Sequence, residues 1–256
     1  MKTIRGGKGL GDSLYVQSVA RHLVARGESL RAATTYPEVF KPLGIDCIPF
    51  TRVGIQILAH YSTRKAKATT QFEDCCITAG IKEPVELKLD WRVTDRELTE
   101  RLLWHGKPIV LVQLPRDPMG RLDGFGAELL PDCERIQRAI DVVHGRALTV
   151  QVGAGRPLFA FRGIDIDLSN KTTVSQLLDV ASAATAAIGY VSFVLPMCES
   201  LDKKALLVWS RRGLKSKTQY IRQITPQKVV HRPDLVTSVL DGKDDDIDAA
   251  AESLLR

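Results

Sequence analysis

Near its start the sequence places one carboxylate and one ammonium group among four glycines, in Gly6-Gly7-Lys8-Gly9-Leu10-Gly11-Asp12-Ser13. Glycine lets the backbone bend sharply and approach another molecule closely, so a turn of this composition can border a site. Asp12 stands where a helix N-cap belongs, and a capping carboxylate can still face a bound molecule. The spacing excludes two nucleotide-binding patterns. A P-loop needs GxxxxGK[ST], and Lys8 comes too early; a dinucleotide fingerprint needs GxGxxG, and the glycines stand at 6, 7, 9 and 11.

Other candidates lie further along. Lys171, Thr172 and Thr173 can hold phosphate, although the same three residues also make an adequate helix start. Ser192, with the amides that follow it at an expected helix start, suits a diphosphate. Arg116, Arg121 and the Arg211-Arg212-Gly213-Leu214-Lys215 loop follow expected strands of the second half, where α/β sheets bind ligands; solvated surface is the plainer reading of each. Asp165-Ile166-Asp167 imitates a metal-binding DxD, but it ends an irregular segment, and no metal is expected. Arg64-Lys65-Ala66-Lys67 reads first as a solvated helix face and second as a patch for an anionic acceptor. The five histidines are scattered, and the five cysteines lack CxxC spacing, which suits reduced thiols in a cytoplasmic protein.

These residues must be carried by alternating strands and helices. Lys2 to Arg5 reads as a strand, followed by the glycine turn and an amphipathic helix through Leu23. A strand at Ser29 to Thr35, a short helix at Pro37 to Leu43 closed by Gly44, and a strand at Cys47 to Phe50 complete a βαβαβ rhythm, hence a parallel sheet. From Thr51 to Lys88 the pattern blurs, with Ile55 to Tyr61 a strand or a helix start; Asp95 to Leu103 reads as a helix. Gly106-Lys107-Pro108 then marks a boundary before the almost wholly apolar Ile109 to Leu114, the signature of a strand buried on both faces.

The rhythm repeats after it. A helix is expected at Pro131 to Val143, a strand at Ala147 to Val152, a Gly153-Ala154-Gly155 turn, a helix at Val174 to Ala184, and strands at Ala186 to Val191 and Ala205 to Trp209. Asp244-Asp245-Asp246 opens an Ala-rich helix, with the acidic residues favourable at its N-terminus. The expected organisation is a domain over 1–106, a second over 107–240 and an acidic helix or tail over 241–256.

Composition is consistent with this. With 44% hydrophobic and 26% charged residues the 256-residue chain is an ordinary globular protein able to build two cores. The formal charge of +6 suits a phosphorylated substrate or an acidic polymer without demanding either. No basic segment followed by an apolar run opens the sequence, and the longest apolar stretch, Leu177 to Cys198, is interrupted by Asp179, so neither a secretory signal nor a membrane span is expected.

Three segments together resemble glycosyltransferase family nine, the ADP-heptose transferases of lipopolysaccharide synthesis. Ile4-Arg5-Gly6 through Gly11-Asp12 matches the family's strand, Arg-x-Gly-x-[Gly/Leu]-Gly-Asp turn and helix. Asp167-Leu168-Ser169-Asn170-Lys171-Thr172-Thr173 matches its Asp-Leu-x-x-Lys-Thr-[Ser/Thr] segment, and Gly189-Tyr190-Val191-Ser192-Phe193 takes the place of its Gly-x-Asp-Ser-Gly. Val191 therefore stands at the family's sugar-contacting Asp and Phe193 at a glycine, and the first half is shorter than is usual.

The resemblance implies a GT-B fold, two Rossmann-like domains with parallel sheets facing a cleft. It further implies a metal-independent inverting transfer of a sugar from a nucleotide diphosphate sugar, which serves as co-substrate with no other cofactor, to a hydroxyl. Asp12 corresponds to the base; Gly9, Gly11 and Ser13 belong to the acceptor-side loop; Lys171, Thr172, Thr173, Ser192, Arg116, Arg121 and Arg211 fall on the donor side. The implied acceptor is lipopolysaccharide or another glycan. Two alternatives are a modified DNA base as acceptor and a non-catalytic nucleotide- or nucleic-acid-binding protein on the same scaffold.

Overall fold

The structure, a computed structural model, describes residues 1–61, 70–116, 131–209, 225–239 and 244–256. The Arg64-Lys65-Ala66-Lys67 run, Arg121 and the Arg211 loop lie outside the described residues.

In the first half the order is β1 (Lys2–Arg5), α1 (Leu10–Ala25), β2 (Leu30–Thr34), a 3-10 helix (Pro37–Leu43), β3 (Asp46–Pro49), β4 (Ile57–Leu58), α2 (Gln71–Thr78) and α3 (Arg96–Leu103). The strands form a parallel sheet in the order β3-β2-β1-β4. The helix expected at Pro37 is tightened to 3-10 form, with Pro42 inside it lacking an N–H and Gly44 ending it at φ 64°. Helix α2 falls in the stretch whose pattern is blurred in sequence. It is started by a capping box in which Thr70 Oγ1 accepts the Glu73 N–H and Glu73 Oε2 accepts the Thr70 N–H.

In the second half the order is β5 (Ile109–Gln113), α4 (Cys133–Val143), β6 (Leu148–Val152), β7 (Ile166–Asp167), α5 (Val174–Ala183), β8 (Ala186–Gly189), α6 (Val194–Ser200), β9 (Lys204–Val208), α7 (Pro226–Val229), β10 (Val236–Val239) and α8 (Asp244–Ser253). Its parallel sheet runs β10-β9-β8-β5-β6-β7, so the wholly buried β5 is central, as its unbroken apolar run requires. Helix α8 packs on α4, where Arg138 and Asp248 pair through two 2.7 Å hydrogen bonds. Among the described residues no helix is long and apolar enough to cross a membrane.

Between the halves the core is continuous, with Ile4, Leu14 and Phe40 in the same cluster as Leu111, Leu178 and Leu195. Helix α1 is expected to be amphipathic, yet it is buried from Ser13 through Ala20. Its polar side chains are covered by the connecting segment: Gln17 exchanges hydrogen bonds with the Asp90 backbone, and Ser18 does so with the Lys88 backbone. The same segment bonds to the second half through Leu89 N–H to Ser200 O at 2.8 Å.

Each sheet has a topological switch point, where the strand order reverses and α/β proteins open a crevice beyond the strand ends. In the first sheet it lies between β1 and β4, and in the second between β5 and β8. The glycine turn follows β1, Tyr61 comes soon after β4, Arg116 follows β5, and Val191 to Phe193 follow β8.

Candidate active site

These loops converge on one cleft of about 280 Å³. From the first half it is lined by Gly9, Leu10, Gly11, Asp12, Tyr15, Tyr36, Tyr61 and Gln71, and from the second by Arg116, Val191, Ser192, Phe193, Leu195 and Pro196.

The glycines of the turn serve close approach rather than unusual dihedrals, because none of the four has a positive φ. A Cβ on Gly6 would lie 2.2 Å from Val16 Cγ2, and one on Gly7 would lie 2.2 Å from Asp12 Oδ2. On Gly11 it would stand 3.1 Å from Pro196 Cγ and 3.4 Å from Phe193 Cα, so this residue lets α1 close against the start of α6. The N-cap of α1 is Gly9 rather than Asp12; Asp12 occupies the third helical position, and its Oδ2 accepts the Gly9 N–H at 3.0 Å. The sequence placed the cap on Asp12 because glycine has no side chain with which to advertise one. Asp12 still stands at the helix start and on the cleft, with Oδ1 free of hydrogen bonds among the described residues.

Arg116 is positioned by Tyr190. The Tyr190 hydroxyl donates to Leu114 O at 3.2 Å and accepts the Arg116 N–H at 3.4 Å, while the Tyr190 N–H is held by Gln113 Oε1 at 3.1 Å. The guanidinium in turn donates to Ala154 O at 3.2 Å. Burial pushes the Tyr190 phenol above its ordinary range, so it remains a hydroxyl. Asp12 and Arg116 thus bring opposite charges to the same cleft from the two sheets. Ser192 joins them just before α6.

Three residues expected on the donor side do not line this cleft. Lys171 donates to Asp167 O at 2.7 Å and is exposed. Thr173 is the N-cap of α5, in a capping box with Gln176, and Thr172 lies between them. Their segment starts a helix that packs on α3, with Gln176 reaching Asp95 Oδ2 at 3.0 Å. Ser13 also departs from expectation: it is buried, its hydroxyl 3.3 Å from Thr34 Oγ1, because one step along the helix from Asp12 turns it toward β2. Asp165 of the DxD-like triplet accepts from the Thr149 N–H and hydroxyl, and Asp167 accepts the Ser169 N–H; among the described residues no cluster of three metal-ligating side chains occurs.

Tyr15, Tyr36, Tyr61 and Gln71 do not stand out as candidates in the sequence alone. Tyr36 and Tyr61 lie just beyond the C-terminal ends of β2 and β4, and Tyr15 is one helical turn after Asp12, so strand ends and helical spacing were the signals available. Below the cleft floor, one turn beyond Leu195 and Pro196, the buried Glu199 accepts the His231 and Arg232 N–H groups at 2.6 and 2.8 Å. Burial drives its carboxyl up to about 7. Burial, reinforced by Glu199, also raises the Tyr15 phenol well above its usual value.

The sequence matches no protein-family model, and no curated protein matches it. Solved structures do match in three dimensions. Escherichia coli ADP-heptose lipopolysaccharide heptosyltransferase II superposes with a TM-score of 0.61 at 11% identity, over 100% of this chain and 98% of that one. A glycosyl transferase of family 9 from Veillonella parvula gives 0.62 at 10% identity, over 99% and 97%. The dodecameric iron-containing heptosyltransferase TibC, solved with ADP-D-β-D-heptose, gives 0.56 at 11% identity, over 94% of this chain and 63% of that one. The fold is therefore the α/β architecture of family-nine heptosyltransferases, as the sequence resemblance implied.

Proposed function

We propose that the chain is an inverting glycosyltransferase that moves a sugar from a nucleotide diphosphate sugar to a hydroxyl acceptor. The observation that carries this reading is the meeting of Asp12 and Arg116 in one cleft, each beyond the switch point of its own sheet. The fold shared with sugar-nucleotide transferases supports it.

In this reading Asp12 takes the proton of the acceptor hydroxyl as its oxygen attacks the anomeric carbon, and the sugar–phosphate bond breaks on the opposite face, which inverts the centre. The Gly9 N–H holds Asp12 Oδ2 and fixes the carboxylate for that step. Arg116 and the Ser192 hydroxyl, supplied by the second half, neutralise the charge that develops on the departing diphosphate. A guanidinium in that position supplies positive charge without a metal ion. The apolar Val191 and Phe193 leave the donor sugar without the carboxylate contact that the resemblance would supply. The place of action in this reading is the cytoplasm and the acceptor class a glycan.

The test is Asp12→Asn, assayed by nucleoside diphosphate release from a panel of nucleotide sugars and by calorimetry with the same donors. Turnover should fall by about 10²–10⁴-fold with donor affinity retained; full activity in the Asn variant would remove Asp12 as base. Val191 and Phe193 favour one other reading, a nucleotide-binding protein without turnover. It would be supported by tight donor binding with no release in the unaltered chain.

A further inference from the structure

The first-half wall of the cleft carries three tyrosines, Tyr15, Tyr36 and Tyr61, in a chain whose aromatic content is only 6%. Two of the three rings are engaged with each other. Tyr61 stands edge-on to Tyr15, with centroids 6.5 Å apart and planes at 86°, and Tyr15 also packs on Phe72 at 5.6 Å. Tyr36 is partly exposed and pairs with no other ring among the described residues.

The backbone under Tyr36 is held. Its N–H donates to Thr34 Oγ1 at 2.9 Å, and that hydroxyl lies 3.3 Å from Ser13 Oγ, the residue beside Asp12. Pro37 follows, which disfavours the helical region for Tyr36, and its φ and ψ are −125° and 73°. The Tyr36 backbone and the start of α1, which carries Asp12, are thus linked through one pair of hydroxyls. A pyranose suits such a wall. Its axial C–H groups, weakly positive, lie against the negative face of an aromatic ring, while its hydroxyls meet Asp12 and Gln71.

Resting on the transfer reading above, we infer that Tyr36 is the residue that positions the acceptor, and that the acceptor presents to it the face of an uncharged sugar ring. Tyr36 orients the ring so that one hydroxyl meets Asp12, and it selects against acceptors whose nearest group is a phosphate.

The test uses the full chain and saturation-transfer NMR with methyl β-D-glucopyranoside and methyl β-D-galactopyranoside as probes. Glucose 6-phosphate, a thymidine oligonucleotide and ADP are titrated in parallel. At least one methyl glycoside should bind with saturation concentrated on its ring C–H protons. Tyr36→Ala should weaken it by about fivefold to tenfold, and Tyr36→Phe should stay within about twofold. Comparable melting of the two variants guards against a folding artefact. The inference is overturned if neither glycoside binds, if Tyr36→Ala binds as the unaltered chain does, if ADP loses affinity by the same factor, or if the phosphate or oligonucleotide binds more tightly than both glycosides. Failure of the transfer reading appears separately, as no diphosphate release from any nucleotide sugar while glycoside binding persists.

Discussion

The Asp179 carboxylate on α5 accepts the Trp91 indole N–H at 2.8 Å, which fastens the second half of the molecule to the segment leading out of the first. The same carboxylate accepts the Thr94 N–H and hydroxyl and the Asp95 N–H, at 3.0, 2.7 and 2.8 Å, and it is fully buried. One side chain therefore satisfies four donors at the junction that sets how the two sheets face each other.

Removing that acceptor strands four donors in the interior. Asp179→Ala should destabilise the protein by about 3–5 kcal/mol, read as a lower urea midpoint. A loss under about 1 kcal/mol would mean that the junction is held chiefly by its apolar core.

A methyl group on Gly7 would collide with the Asp12 carboxylate, whose three terminal atoms lie 2.2–2.7 Å from the added carbon. Gly7→Ala should therefore displace Asp12 and lower turnover by about 10²-fold or more, while melting changes little. Gly9→Ala, whose nearest contact would be 3.1 Å, should be the milder change. Equal activities for the two variants would contradict this account of the turn.

Glu199 and His231 give stability opposing dependences on pH. Burial raises the Glu199 carboxyl to about 7 from 4.5, so the folded state holds its proton more tightly than the unfolded chain. Its contribution is fully present below about pH 4.5 and is lost as pH rises through about 7, a change of roughly 3 kcal/mol. Burial lowers the His231 imidazole, so its contribution is present above about 6.5 and is lost as pH falls. Glu199→Gln keeps an oxygen for the His231 and Arg232 N–H groups and removes only the first dependence. The variant should be more stable than the unaltered chain at pH 8, with the gap closing toward pH 5, as measured by urea unfolding at both values. A gap that does not vary with pH would count against Glu199 as its source.

How far the sequence speaks can be judged residue by residue. The strand, glycine turn and helix at Lys2 to Ala25 and the central strand at Ile109 are legible because hydrophobic period and glycine chemistry act over a few residues. The capping box of Thr70 and Glu73 was equally local and marks a helix that the weak apolar pattern of α2 concealed. Asp12, Arg116 and Ser192 are plausible in sequence as separate candidates. That Asp12, Arg116 and Ser192 share a cleft, that Lys171 to Thr173 do not line it, that Ser13 turns toward Thr34, and that three tyrosines complete the wall depend on where the two sheets are set. That setting is decided by contacts between residues far apart in the chain, such as Gly11 against Phe193 and Asp179 against Trp91, which no local pattern encodes.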